Sequence, residues 1–136
     1  MPEKNIYIVP QQFVQKAWEK AGKFIEAGME HAKGECNADQ LRVYLANGEH
    51  TLMLFLEGQE IVGAVEFIID ASPMDRIFYI NSLGGKASKE HFGMMYEWAK
   101  QNGCTTIRGC VRESMVRYGR MKHGFEPIYT MVEKRL

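Results

Sequence analysis

The stretch from Phe78 to Ala99 reads FYINSLGGKASKEHFGMMYEWA and predicts, in order, a strand, a glycine turn and a helix. Apolar, β-prone residues come first, Gly84 and Gly85 interrupt them, and apolar residues then recur three to four positions apart. A helix N-terminus exposes N–H groups and partial positive charge, and glycines let a ligand approach the backbone closely. The turn is therefore a candidate pyrophosphate site, although adjacent glycines are also common in plain turns.

The segments before this stretch predict a strand, two helices and an antiparallel hairpin. Pro10 ends the first strand because it cannot donate a ladder hydrogen bond. Asn37 and Gln40 have the spacing of a capping box at the start of the second helix, and Gly48 suits its end. In order, these elements are expected at residues 5–9, 11–32, 37–48, 51–56 and 61–69, with a further strand at 76–83.

The segments after it predict a buried strand at 105–111, a helix capped by Ser114 and ended by Gly124, and one or two strands within 125–136. An antiparallel first half followed by a β-α-β crossover predicts an α/β (α+β) fold: a mixed, mostly antiparallel twisted sheet with helices on both faces. No internal repeat or linker divides the chain. We therefore expect a single domain over residues 1–136.

The charges balance, with 17 Lys+Arg and 17 Asp+Glu. A neutral chain argues against nucleic acid as a partner, and no apolar run approaches the roughly 18 residues that suggest a membrane span. These features predict a cytoplasmic protein. The three cysteines and four histidines lack the spacing of metal ligands, so no metal site is predicted and the histidines are expected at the surface.

Several segments resemble the GNAT acyltransferases, the acyl-CoA N-acyltransferase superfamily. They are the hairpin at 58–67, the glycine turn, the helix end at 97–104 and Lys122-His-Gly-Phe125. Within that superfamily the chain looks closest to small GNAT-like proteins of tailed bacteriophages, which share its start at 9–18, its Trp-Ala-Lys at 98–100 and its end at 124–136. The resemblance would place the protein in the host cytoplasm or the virion.

The resemblance implies acetyl-CoA as co-substrate and an amine of a small molecule or a protein as acceptor. In GNAT proteins the fourth strand splays from the fifth, which frees backbone groups for the pantetheine arm and the thioester carbonyl. By this resemblance the pantetheine path is lined by Asn81, Ser82 and Leu83. The pyrophosphate loop would consist of Gly84, Gly85, Lys86, Ala87 and Ser88, although Ser82 stands where the usual loop has Gln or Arg.

Catalysis by direct attack needs a base for the amine, and the resemblance points to two carboxylates near the cleft, Glu66 and Glu113. Many members protonate the leaving thiolate with a Tyr of the last helix. Arg120 stands at that position here and Tyr118 lies two residues earlier, on a different side of the helix. Arg120 cannot donate a proton at neutral pH, but it could stabilise the thiolate by its charge.

Two functions remain open at this point. The first is an acyl-CoA-dependent N-acyltransferase. The second is a noncatalytic GNAT-like phage accessory or virion-associated protein that acts by protein binding, because a fold does not establish a function. In either case the exposed strand edge expected at 125–136 predicts a homodimer.

Overall fold

The computed structural model describes residues 2–29, 37–110, 113–128, 130 and 132–136. The strands are β1 (Lys4–Val9), β2 (Thr51–Glu57), β3 (Glu60–Ala71), β4 (Arg76–Gly85) and β5 (Thr106–Gly109). The helices are α1 (Val14–Met29), α2 (Ala38–Ala46), α3 (Lys89–Gln101) and α4 (Glu113–His123), and a 3-10 turn (Gln11–Phe13) leads into α1. None of the helices in these ranges has the length and apolar character needed to cross a bilayer.

The five strands form one sheet in which spatial order equals chain order, β1-β2-β3-β4-β5. The first four strands pair antiparallel, and β5 pairs parallel to β4. The parallel pair needs a crossover, which α3 provides. The predicted α/β class, with a mixed and mostly antiparallel sheet, is confirmed.

Each face of the sheet has its own apolar core. Alternation along β2 sends Leu52 and Leu54 to the core beneath α1 and α2, and Met53 and Phe55 to the core beneath α3. The same alternation in β3 places Ala64 beneath α1 and α2. The residue two positions on, Glu66, is therefore directed to the α1/α2 face as well.

Both N-terminal caps in the described helices are capping boxes. The one at Asn37 is confirmed: its side chain accepts from the N–H of Gln40, and the Gln40 side chain accepts from the N–H of Asn37. At α3 the cap is Ser88, and His91 completes the box. His91 is fully buried and also bonds the carbonyl oxygen of Leu56 on β2, so this cap ties α3 to the sheet.

Three predictions need correction. The described residues of 125–136 form no strand, so the predicted last strand and its edge are absent there. The helix α4 begins at Glu113, so Ser114 lies inside its first turn instead of capping it. The histidines were expected at the surface, but His91 is fully buried, and His50 and His123 are partly buried against other side chains. His31 lies outside the described residues.

Candidate active site

A β-bulge interrupts the pairing of β3 with β4 in the middle of the sheet. Glu66 lies opposite Ser82, whereas the next residue of β3, Phe67, lies opposite Ile80. Asn81 is therefore an extra residue in β4. A bulge bends its strand and re-aims side chains, and bulges are frequent next to active sites.

The bulge turns two successive polar side chains to the same face of the sheet. Ser82 is buried, and its Oγ donates a hydrogen bond to the carbonyl oxygen of Ile25 on α1 at 2.8 Å. The side chain of Asn81 reaches Glu66, which lies on that same α1/α2 face. The apolar residues on either side of this pair in β4 pack into the opposite core, beneath α3.

The parallel pairing of β4 with β5 stops at the bulge. It runs from Ile77 and Thr106 to Ile80 and Gly109, whereas β4 continues to Gly85. Within the described ranges, β4 has no strand partner on this side beyond Ile80. An unpaired strand edge offers N–H and C=O groups to an extended ligand. The predicted pantetheine-lining residues, Asn81, Ser82 and Leu83, lie on this free part of β4.

A polar cluster lies on the α1/α2 face at the bulge. It consists of His50, directly before β2, Glu66 on β3 and Asn81 on β4. Nδ1 of His50 makes a short hydrogen bond with Oε1 of Glu66. Nδ2 of Asn81 lies 3.3 Å from the same carboxylate oxygen and 3.3 Å from Nδ1 of His50. Two neighbouring strands and the residue before a third thus supply one connected hydrogen-bond network.

The environment of this cluster favours uncharged side chains. Glu66 has no exposed surface, and its Oε2 has no hydrogen-bond partner in the part of the chain that the structure describes. Burial raises the pKa of Glu66 to about 8, and the hydrogen bond from Asn81 opposes this rise. Burial also lowers the pKa of His50, against the attraction of Glu49. Both shifts favour a neutral carboxylic acid beside a neutral imidazole.

His50 is closer to solvent than Glu66. Its side chain is 15% exposed, whereas that of Glu66 is 0% exposed. The ring of Tyr44 stacks on the imidazole with centroids 4.5 Å apart, and Tyr44 is itself exposed. The stack fixes the plane of the imidazole at the mouth of the cluster.

No protein-family model and no curated protein matches this sequence. Solved structures, in contrast, match over nearly the whole chain. An aminoglycoside acetyltransferase from an uncultured soil metagenomic sample, in complex with sisomicin, superposes with a TM-score of 0.70 at 13% identity, covering 98% of this chain and 96% of that one. The fold is the GNAT fold.

Two further acetyltransferases share the GNAT fold with this chain. A ribosomal-protein-alanine N-acetyltransferase from Brucella melitensis biovar Abortus 2308 gives a TM-score of 0.65 at 8% identity, over 98% of both chains. A predicted acetyltransferase from Clostridium acetobutylicum, solved with acetyl-CoA, gives 0.61 at 14% identity, over 98% of this chain and 96% of that one. At these sequence identities the similarity shows a shared fold alone.

The predicted glycine turn of the GNAT fold is strand in this chain. Gly84 and Gly85 form the end of β4 and pair with Ala64 and Gly63 of β3. A Cβ on Gly84 would collide with the carbonyl oxygen of Phe24 on α1. Gly85 has φ of +98°, and a Cβ there would meet the backbone of β3. These glycines let α1 and β3 approach β4 closely, which is a packing role.

Of the predicted pyrophosphate loop, Gly84 and Gly85 end β4, and Lys86, Ala87 and Ser88 lie between β4 and α3; the assignment of this loop to pyrophosphate stays a prediction. The N–H of Lys86 already donates to the carbonyl oxygen of Val62, and Ser88 is engaged in the cap. In the first turn of α3, Glu90 accepts a hydrogen bond from its own N–H and one from Lys4, which lowers its pKa to about 2. A phosphate at this helix end would meet that negative charge.

Of the remaining predicted catalytic residues, Tyr118 and Arg120 have described contacts, and these are with residues outside the polar cluster. Glu113 is the first residue of α4, and its side chain lies outside the described part of the chain. Tyr118 is 50% exposed and packs edge-on against the ring of His123. Arg120 forms an exposed ion pair with Glu126 at 3.0 Å. The assignments of these residues to catalysis stay predictions.

Glu66 and Asn81 were predicted as site residues, but their contacts with His50 were not predicted. A signal was available: Glu66 and Asn81 are polar residues inside two strongly apolar strands, and His50 directly precedes a third. Polar groups in buried strands need partners, and neighbouring strands are the nearest source of them. No group of three metal-ligating side chains occurs among the described residues.

Proposed function

We propose that this chain is an acyl-CoA-dependent N-acyltransferase, which transfers an acetyl group from acetyl-CoA to an amine. One observation carries the proposal. The free edge of β4 begins at Asn81, and the side chain of Asn81 contacts the buried Glu66. A strand edge suited to an acyl-pantetheine arm therefore adjoins a group suited to accepting a proton.

The solved structures that share the fold support both substrates. The Clostridium acetobutylicum protein was solved with acetyl-CoA, and the soil metagenomic enzyme with the aminoglycoside sisomicin. The Brucella melitensis enzyme is named for an alanine of a ribosomal protein. On this basis the acceptor is an amine of a small molecule or of a protein.

The reaction needs one proton acceptor. The neutral amine attacks the thioester carbonyl, the new C–N bond forms, the C–S bond breaks and the thiolate leaves. Backbone N–H groups on the free edge of β4 polarise the carbonyl oxygen as negative charge develops on it. The nitrogen loses its proton, which passes to the polar cluster that contains the buried Glu66.

The departing thiolate needs little help. A thiol has a pKa of about 8.5, so the thiolate leaves without a strong acid. Arg120 can stabilise the negative charge of the thiolate if its guanidinium leaves Glu126 and pairs with the sulfur instead. Tyr118 is the alternative proton donor.

Protein binding without catalysis is the second candidate function. It is favoured by the α3 N-terminus, where Glu90 supplies negative charge and the nearby glycines are used for packing. Such a protein would use the same sheet and helices as a docking module for a host or phage protein. A homodimer, a cytoplasmic location and a bacteriophage origin likewise remain proposals.

Two measurements separate these candidates. Titration calorimetry with acetyl-CoA and with CoA should show binding, and thermal stability should rise with ligand concentration. Thiol release should follow when an aminoglycoside or a peptide with a free N-terminus is added. Glu66→Gln should keep acetyl-CoA affinity and lower turnover, whereas the exposed Glu97→Gln should match the wild type in both. Absence of binding to either cofactor form would favour the docking module.

A further inference from the structure

Glu66 cannot touch an acceptor amine in this structure. The side chain is 0% exposed. His50 and Asn81 cover its Oε1, and Oε2 is buried without a partner among the described residues. An amine would have to displace these groups to reach either oxygen. A group between Glu66 and the solvent must therefore carry the proton.

His50 is in that position. Both hydrogen bonds of its ring to described residues use Nδ1, which faces Glu66 and Asn81. Nε2 has no hydrogen-bond partner among those residues and is on the far side of the ring. The side chain is 15% exposed and is held in plane by the stacked Tyr44. Its free nitrogen is thus accessible at the mouth of the polar cluster.

We infer that His50 contacts the acceptor amine and takes its proton at Nε2, and that Glu66 is a positioning residue that receives a proton from Nδ1. This inference rests on the proposed transferase function. Asn81 donates to Oε1 of Glu66 and holds the carboxylate in place for this exchange.

The protons balance along this route. In the reactive state Glu66 is ionised and accepts from the Nδ1–H of His50, so the Nε2 lone pair is free. When Nε2 takes the amine proton, the Nδ1 proton moves to Oε1, and the pair becomes a neutral carboxylic acid beside a neutral imidazole. That end state suits a buried site. The proton returns to solvent from Nε2, and the cycle closes.

The charges near the pair set its pH dependence. They are those of Glu66 itself and of the adjacent Glu49, whose negative charge favours protonation of His50. Asn81 contacts the pair from β4, and Tyr44 contacts it from α2. The reactive form is the one that has lost a proton, so activity should rise with pH through the apparent pKa of the pair, which belongs to both residues.

The test compares His50→Gln, Glu66→Gln and the exposed control Glu97→Gln in the full chain, with acetyl-CoA and an amine acceptor. His50→Gln should lower kcat by about 100-fold or more and leave acetyl-CoA affinity unchanged. In Glu66→Gln the imidazole alone remains as base, so residual activity should titrate at lower pH than in the wild type, because burial lowers the pKa of His50. Free imidazole should partly restore His50→Ala, because the mouth of the site is open.

The outcomes are distinct. Full activity of His50→Gln together with loss in Glu66→Gln would overturn the inference and make Glu66 the direct base. A wild type without transferase activity would overturn the proposed function. The proton exchange between His50 and Glu66 can also be measured in the free protein by nitrogen NMR of the imidazole. The neutral ring should carry its proton on Nε2 while the pair keeps its shared proton, and on Nδ1 once the pair has lost that proton. A fixed tautomer would contradict this exchange.

Discussion

Nε2 of His91 on α3 lies 2.8 Å from the carbonyl oxygen of Leu56 on β2. Nδ1 of the same ring accepts from the N–H of Ser88 at 3.0 Å, so Nε2 carries the proton and donates to Leu56. We expect His91→Ala to lower the free energy of unfolding by about 2–5 kcal/mol, because it leaves a cavity and two unpaired backbone groups. Urea unfolding measures this. Ser88→Ala, which removes only the cap, should cost about 1 kcal/mol. Equal losses would show that His91 acts as a cap residue alone.

At Gly84, α1 and β4 approach each other closely. Gly84→Ala should destabilise the fold by about 1–3 kcal/mol, because its Cβ would collide with the carbonyl oxygen of Phe24. Gly93 on α3 is the matched control, since a Cβ there meets nothing within 4 Å. Gly93→Ala should stabilise by up to about 1 kcal/mol through helix propensity. Thermal unfolding of both variants checks the prediction, and a neutral Gly84→Ala would disprove the close approach.

Glu66 should make the wild type less stable as pH rises. Its pKa is about 8 in the folded state and 4.5 in the unfolded state, so between these values the unfolded chain loses a proton that the folded chain keeps. Stability should therefore fall across that window. Burial of neutral His50 acts in the opposite sense, at lower pH. Glu66→Gln should flatten the decline in urea midpoints between about pH 5 and pH 9, while Glu97→Gln should parallel the wild type. Parallel curves for Glu66→Gln would exclude a buried ionisation.

Glu90 should oppose phosphate binding at the N-terminus of α3. Glu90→Gln removes the negative charge and is expected to tighten acetyl-CoA binding severalfold at low salt, with the difference shrinking as salt is added. Calorimetry at two ionic strengths measures it. Glu97→Gln, further along the same helix, is the control. Identical affinities would place the cofactor phosphates elsewhere.

Arg120 and Tyr118 can be ranked by kinetics. Arg120→Ala should cost less than about 1 kcal/mol of stability, because its ion pair with Glu126 is exposed. If its charge stabilises the thiolate, turnover should fall more than acetyl-CoA affinity, since the interaction grows as charge develops on sulfur. Tyr118→Phe should matter less. The opposite order would identify Tyr118 as the acid.

Most of the fold could be predicted because each element has a local signal. The capping box at Asn37, the hairpin turn before β3 and the helical spacing of α3 all fix structure within a few residues. The segment at 125–136 was predicted to contain a strand because its apolar residues match a strand pattern, but its described residues do not pair with the sheet. Such a pattern reflects how side chains fit a half-buried surface, and it does not determine backbone pairing.

The candidate site was only partly predictable. Glu66 and Asn81 could be singled out as unusual in apolar strands, but their contact depends on the bulge, which shifts the register by one residue. His50 lies outside the strands, and its role depends on the side-chain burial of Glu66. For Gly84 and Gly85, the sequence pattern predicted a ligand-binding loop. In the structure both glycines lie in β4, where the absence of a side chain lets α1 and β3 pack closely against that strand.

The agreement of strand order with chain order has a consequence for how the molecule assembles. The β2-β3 and β3-β4 pairs join segments close in sequence, so their loop-closure entropies are small. Pairing of β1 with β2 requires closure of the longer segment that contains α1 and α2, and pairing of β5 with β4 requires closure of the segment that contains α3. We expect the three central strands to form the folding nucleus. Amides of β5 should be among the first to exchange with deuterium in the native protein. The strand β5, which lies next to the unpaired part of β4, would then detach without global unfolding. Opening this side of β4 should therefore cost only a fraction of the free energy of global unfolding.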